Sequence, residues 1–401
     1  MYDLIVIGGG ASGMLASILA GKAGLKTLLL EKNNRVGKKL LTTGNSRCNF
    51  TNKNIKLERY HGQNTNFIKS LIERYDYNFI KELFFEMGIE SFYVEENGKA
   101  YPNSLQASTF LDVLRFEMDE AKVVLITDEN IKDLSYKNNF TVYGKEAYNS
   151  RNVIVATGGM SMPKNGSDGG GYKFLKKFGH RDIKTLPALT QLKLENPHAR
   201  AMDGVKLENT NVSLYVDGEF VARENGDFLF TSYGASGPTV LSLSRKAVVA
   251  LDKNRKVELG VEIREGGELY SRFKSMNQRT LEEAMVGLIN KKLIIPILKG
   301  LELDWNMPAS NLKNEGIKEI ENRLSDFRAR VVGHTGFGNS QVTNGGISTD
   351  DFDPNTMESR LQKGLYAVGE VLDIDGDSGG FNLHFAWASA LAAVEAIKET
   401  I

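Results

Sequence analysis

The chain has a single cysteine, Cys48, in 401 residues. One thiol excludes an internal disulfide and a cysteine-rich zinc site, and it fits a reducing compartment. Histidine is almost as scarce. His61, His180, His198, His334 and His384 are scattered without a ligand-spaced pair, so no metal centre is expected. An excess of one charge is also missing. Fifty Lys and Arg balance fifty Asp and Glu, for a formal net charge of zero. No positive field is therefore on hand to gather nucleic acid or an anionic membrane. No apolar run reaches the roughly 18 residues that span a bilayer, and the stretch Phe385 to Ile397 is too short. The run Leu4-Ile5-Val6-Ile7 lacks the basic flank of a secretory signal and has Asp3 there instead. The expectation is a cytoplasmic protein without nucleic-acid or membrane partners. Nothing in the sequence sets its oligomeric state.

What is present is ordinary globular composition, 41% hydrophobic and 25% charged, at a length that suggests two to three domains. Leu4 to Ile7 reads as a strand buried on both faces. A glycine-rich break follows, then helix formers from Met14 to Ala23, then a second buried strand, Thr27 to Leu30. This is a βαβ unit with a right-handed crossover. Helical spacing runs from Phe67 to Met87 and again from Ser108 to Glu120. Strands are expected at Val123–Ile126, Ile131–Leu134, Phe140–Tyr143 and Asn152–Val155.

The pattern changes near Pro187. Residues 188–267 show short alternating segments, with Asp217-Gly218 as a hairpin turn, and residues 268–335 turn helical and polar. From 336 the chain is glycine-rich again, with a buried strand at Gly364–Gly369 and a closing helix from 382 to 399. The fold class predicted is α/β. A Rossmann-like domain of residues 1–187 and 336–401 is split by a β-rich, barrel-like insert with a helical portion, 188–335.

Gly8-x-Gly10-x-x-Gly13 would be weak alone. Here it follows a strand, opens a helix, and is answered by Glu31 at the end of the second strand. The glycines let the backbone approach a pyrophosphate, the helix start faces it, and the carboxylate reaches a ribose hydroxyl. The next segment, Arg35-Val36-Gly37-Lys38-Lys39-Leu40-Leu41-Thr42-Thr43-Gly44-Asn45-Ser46-Arg47-Cys48-Asn49-Phe50-Thr51-Asn52, is dense in glycine and basic residues.

With that run the sequence resembles the BaiN-like, or aminoacetone-oxidase-like, family of FAD-binding oxidoreductases, although Ser46 stands where the family pattern has glycine. Ala156-Thr157-Gly158-Gly159-Met160-Ser161-Met162-Pro163 with Gly166-Ser167-Asp168-Gly169 looks like the family's second cofactor motif. Leu229 to Pro238 looks like its marker in the insert, and Thr356 to Asp373 with Gly379-Gly380-Phe381-Asn382-Leu383 like its C-terminal motif. The resemblance implies a flavoprotein of the two-dinucleotide-binding-domain type. It also implies FAD contacts at Gly8, Gly10, Ala11, Ser12, Gly13, Glu31, Lys32, Lys38, Lys39, Thr43, Gly44, Arg47, Cys48, Asn49 and Ile131. Further contacts are implied at Ala156, Thr157, Gly158, Gly159, Gly369, Glu370, Asp373, Gly380, Phe381, Asn382 and Leu383. In physical terms, Asp373 would accept ribityl hydroxyls, and the last helix would turn its free N–H groups to the flavin's pyrimidine edge.

Other features read more plainly. Gly234-Ala235-Ser236-Gly237 falls short of a nucleophile elbow and reads as a packing turn. Cys48, without a partner thiol, reads as a small buried residue rather than a redox group. His384, near the presumed flavin ring, is a candidate proton relay, and catalytic residues are otherwise unassigned.

The expected function is hydride transfer between FAD and a small organic substrate held between domain and insert. The resemblance implies either oxidation of small amines such as aminoacetone or reduction of unsaturated steroid-like ketones. NAD(P)H would serve as a transient donor, because the chain has a single strand-associated glycine fingerprint. A nicotinamide-only dehydrogenase is a weaker reading for the same reason. The reading from another class is a flavoprotein whose main role is to bind RNA or a protein partner, with FAD structural. The lack of a basic stripe argues against the RNA version.

Overall fold

A computed structural model describes residues 1–94, 96–266 and 269–400. The chain divides into two compact units, one of residues 1–187 and 341–401, the other of Ala188–Ser340.

The first unit is built on a seven-stranded sheet. Tyr2–Ile7 lies at its centre, parallel to Thr27–Leu30 on one side and to Ala147–Val155 on the other. Val124–Ile126 adds in parallel beyond Thr27–Leu30, and Leu365–Ala367 pairs in parallel with Ala147–Val155. Phe140–Tyr143 and Asp133–Tyr136 continue the sheet antiparallel. Leu4 to Ile7 and Thr27 to Leu30 are buried throughout, as expected of a covered parallel sheet, and helix Ala11–Lys22 packs on both strands. Helix Ala11–Lys22 packs against the last helix, Phe381–Glu399. The unit's core draws on residues of this unit alone.

Helical spacing from Phe67 to Met87 resolves into two helices, Lys69–Arg74 and Tyr77–Glu86. Asp76 explains the break. Its carboxylate accepts the Phe79 N–H at 2.8 Å and caps the second helix. Within this layer Trp387, on the last helix, packs edge-on to Phe84 with ring centroids 5.0 Å apart. Its indole N–H donates to the Phe50 carbonyl at 2.9 Å. The buried indole thereby fastens the Cys48–Asn52 loop to the start of the last helix, which shapes the site below.

The second unit is a closed six-stranded barrel in the order Leu192–Glu195, Gly234–Ser236, Glu219–Thr231, Lys206–Val216, Val257–Val261, Phe327–His334. Asp217 and Gly218, at φ 53° and 87°, make the expected two-residue hairpin turn between Lys206–Val216 and Glu219–Thr231.

Three expectations are corrected here. Gly234-Ala235-Ser236 is a barrel strand rather than a packing turn, with Ala235 paired to Leu192 and Gly234 to Thr231. The stretch 188–267 also holds a helix, Pro238–Asp252, started by Gly237 at φ 104° and by Pro238 in the first turn. Its many β-branched residues resemble a strand, yet Val240, Leu243, Ala247 and Val248 are buried at helical spacing. Finally, the stretch 268–335 is helical only as far as Ser325. Phe327–His334 is the strand that closes the barrel, and its burial alternates from Phe327 to Val332. The expected switch at 267–268 lies outside the described residues.

Candidate cofactor site

The glycine loop at the end of the first strand shows which glycines the protein itself requires. A Cβ on Gly13 would lie 1.9 Å from the Gly8 carbonyl oxygen, so helix and loop pack too closely for a side chain there. A Cβ on Gly8, whose φ is 108°, would lie 2.6 Å from the Ala156 oxygen. Gly10 differs. Its φ is −81° and a Cβ there would meet nothing within 4 Å. No group of the chain demands glycine at that position, whereas a pyrophosphate approaching the backbone would. The first helical acceptor is Gly10, bonded to the Met14 N–H at 2.9 Å, which leaves the N–H groups of Ala11, Ser12 and Gly13 facing outward from the first turn.

Glu31 is buried at the floor of this loop. Its carboxylate accepts the Gly9 N–H at 2.7 Å, the Asn33 N–H at 2.8 Å and the Asn33 amide at 2.6 Å. Two oxygens with about four acceptor sites leave room for a ribose hydroxyl. Glu31 thus holds the glycine loop as well, a role that motif spacing does not reveal. Lys32 pairs with Asp168 at 2.6 Å, and the Lys38 ammonium reaches the Asn33 side chain at 3.4 Å.

The basic run, the second motif and the C-terminal motif converge on Glu370. Lys39 pairs with one of its oxygens at 2.6 Å, and the other accepts the Thr343 N–H at 2.8 Å. The Thr343 hydroxyl accepts the N–H groups of Met160 and Ser161. A Cβ on Gly159 would lie 2.5 Å from that hydroxyl. Thr43 donates to the Leu40 carbonyl at 2.6 Å. Gly44, Asn45, Ser46 and Cys48 all have positive φ, from 56° to 64°. Ser46 thus occupies the left-handed region in which glycine is comfortable. Arg47 lies over the Tyr101 ring at 5.0 Å. Asn49 spends its amide on the carbonyls of Thr51 and Ala100. Cys48 is fully buried and burial pushes its thiol up to about 12, so no reactive thiolate forms. Ile131 is buried ahead of strand Asp133–Tyr136.

At the C-terminal motif, Gly369 approaches Ser12, and its N–H donates to the Ser389 hydroxyl at 3.0 Å. Asp373 is buried and accepts the Gln63 N–H at 2.8 Å. Gly380, at φ 97°, precedes the last helix, and the Phe381 carbonyl accepts from the Tyr60 hydroxyl at 3.2 Å. The Asn382 side chain is committed to the protein. It accepts the Gly376 N–H at 2.7 Å and donates back to the Gly376 carbonyl at 2.8 Å. What the helix start retains is backbone, since its first internal bond runs from the His384 N–H to Gly380. Leu383 is half-buried in that first turn. His384 is enclosed, with Nδ1 2.8 Å from the Thr51 hydroxyl. Burial lowers its pKa to about 4, so the ring is neutral and packed rather than poised near pH 7.

Polar atoms left over test whether a cofactor fits. Among the described residues, the buried side-chain atoms without a hydrogen-bond partner include the hydroxyls of Thr157, Ser167 and Tyr172 and Nε2 of His384. Thr157 borders the glycine loop at Gly8, and Ser167 borders Gly158. Burying a hydroxyl unmet costs about 1–3 kcal/mol, so Thr157 and Ser167 beside these glycines mark where outside partners belong. Together with the open Gly10 cradle they fit an FAD lying along the loop. Ser167 falls within a motif of the sequence, whereas Tyr172 carries no signal there beyond the glycine run before it. No group of metal-ligand type occurs among the described residues, and no described helix is long and apolar enough to cross a membrane.

A mixed sheet with a parallel centre and this glycine loop, in a chain interrupted by a barrel, belongs to an oxidoreductase of the Rossmann-type flavoprotein class. The chain matches the family described as HI0933-like protein Rossmann domain over residues 2–396, and it belongs to that family. It is 33% identical to a 3-dehydro-bile acid delta(4,6)-reductase from Clostridium scindens, with 100% of both chains covered. It is 30% identical to a ribosomal RNA dihydrouridine synthase from Escherichia coli, over 98% of this chain and 97% of that one. Among solved structures it shares its fold with 3-ketosteroid-delta4-(5alpha)-dehydrogenase from Rhodococcus jostii RHA1 at a TM-score of 0.50 and 13% identity, covering 98% of this chain and 96% of that one.

Proposed function

We propose that the chain is an FAD-dependent reductase of a carbon–carbon double bond conjugated to a carbonyl group, acting on a small organic substrate. The glycine cradle carries the cofactor part. Gly10 is left open toward solvent above Glu31, an arrangement that addresses the ribose and pyrophosphate of a dinucleotide and so favours FAD over FMN. When bound, FAD supplies the two-electron exchange with substrate. The chain's own residues hold the cofactor by the cradle and Glu31, keep water from the buried hydroxyl cluster, and present helix N–H groups where negative charge develops.

The reaction class is supported by the two curated relatives together. A delta(4,6)-reductase of a 3-oxo steroid and a synthase of dihydrouridine both saturate a carbon–carbon bond conjugated to a carbonyl. Ribosomal RNA is the alternative substrate. The small molecule is favoured because neither unit gathers basic charge. Residues 188–340 carry 21 Lys and Arg against 20 Asp and Glu, and the rest of the chain 29 against 30. NAD(P)H would act as a transient donor.

The test uses purified protein. Flavin released by heat and separated by chromatography should be FAD, and FMN or no flavin would sink the cofactor assignment. Chemically reduced enzyme, held without oxygen, should be reoxidised by a 3-oxo-Δ4,6 steroid. Reoxidation by uridine-containing rRNA alone would replace the substrate class, and reduction of the oxidised enzyme by aminoacetone would replace the reaction.

A further inference from the structure

Among the described residues, Lys99 beside the start of the last helix and its neighbour Arg47 have no carboxylate to face. Lys99 begins strand Lys99–Pro102 and pairs in register with Asn52 of strand Thr51–Asn52. Asn52 donates to the Gly379 carbonyl at 2.7 Å, which draws the strand pair against the Gly379-Gly380 turn. A Cβ on Gly379 would lie 3.4 Å from the Lys99 Cε, so the lysine stem passes directly beside the residues that open the last helix. Burial and then the neighbouring Arg47 both push the Lys99 ammonium below its ordinary value. Among the described residues neither Lys99 nor Arg47 has a carboxylate partner.

Holding a half-buried ammonium beside a guanidinium costs stability unless an anion joins them. The described residues supply none, and an anion brought by whatever binds there would complete the site. The 19-residue helix Phe381–Glu399 turns its free first-turn N–H groups and positive dipole end to the same place. Resting on the FAD reading above, we propose that Lys99, with Arg47 beside it, is the counter-charge for the flavin in its two-electron-reduced, anionic form. Two electrons and one proton, taken up at N5, leave a single negative charge on the N1–C2=O locus. The oxidised ring is neutral there. A fixed ammonium therefore stabilises the reduced form selectively, and in a part-desolvated site it does so without reorganisation.

The experiment compares wild type with Lys99→Met, Lys99→Gln and Lys99→Arg, all loaded with FAD, by anaerobic titration against a reference dye. Lys99→Met and Lys99→Gln should bind reduced FAD at least tenfold less tightly relative to oxidised FAD, a potential lower by about 30 mV. Their reduced spectra at neutral pH should move toward the neutral reduced form, and Lys99→Arg should stay near wild type. A wild-type potential in both neutral variants would overturn the proposal. So would a raised KM for a carboxylate-bearing substrate, absent for its methyl ester, at unchanged potential, because the anion would then belong to the substrate. Wild-type protein without FAD removes the functional reading and this inference with it, whereas an unmoved potential in FAD-loaded protein removes the inference alone.

Discussion

Gly10 and Gly13 sit three positions apart in one loop and are glycine for different reasons. The Gly13 site has no room, with the Gly8 oxygen 1.9 Å from where a Cβ would be, while the Gly10 site is open on the protein side. Gly13→Ala should therefore lower the melting temperature of the apoprotein. Gly10→Ala should leave the melting temperature unchanged or raise it slightly, because a less flexible unfolded chain is worth about 0.4–1 kcal/mol of stability, yet it should weaken FAD retention. Thermal melts of apo and FAD-loaded protein separate the two, and a Gly10→Ala variant that holds FAD as wild type would remove the cradle's role. His384 makes a second residue-scale case. Its folded pKa, about 4, lies below the ordinary value of 6.5. Between those pH values the unfolded chain takes up a proton that the native ring refuses, so stability is lost as pH falls from 6.5 toward 4. The loss from this one group approaches about 3 kcal/mol. Melting temperatures of His384→Gln should fall less between pH 7 and pH 5 than those of wild type, and parallel curves would assign the acid sensitivity elsewhere.

The start of the last helix depends on backbone geometry more than on side chains. Gly380 is left-handed at φ 97°, and a Cβ there would lie 2.4 Å from the Thr51 carbonyl oxygen. Gly380→Ala should cost more than the roughly 1 kcal/mol of the backbone strain alone, because the loop that Trp387 pins must also shift. Denaturant unfolding of the apoprotein measures this, and a loss below that figure would show the loop to be free to move. Elements whose signals are local were legible in the sequence. Thr27–Leu30 reads as a strand from its unbroken apolar run, and Asp217-Gly218 reads as a turn because both residues tolerate positive φ. Helix Pro238–Asp252 was hidden because Thr239, Val240, Val248 and Val249 favour strands in isolation, and only packing on the barrel decides otherwise. Phe327–His334 was hidden because closure of a barrel pairs it with strands far away in sequence. The same holds at the site. Glu31 announces itself by its spacing from the glycines, whereas Lys99 reaches the last helix only through the pairing of two short strands.

At the scale of the whole molecule, the chain leaves and re-enters the first unit through strands Asp182–Ala188 and Val342–Ile347, which pair as a two-stranded sheet. The ends of the insert are therefore neighbours, and the first unit's core contains no residue of 188–340. We expect that replacing residues 189–340 with a short glycine-containing turn yields a protein that still folds and binds FAD but no longer reduces substrate. A variant that cannot hold flavin would show the insert to be needed for the cofactor as well. The same connectivity imposes an order on synthesis. Strand Leu365–Ala367 pairs beside Val153–Val155, and the last helix covers Ala11–Lys22, so the first unit stays incomplete while the ribosome still holds its last sheet strand and that covering helix. The barrel has all its strands once His334 has emerged. During translation the insert can mature first, while the N-terminal half waits with its glycine loop exposed for partners still to be made.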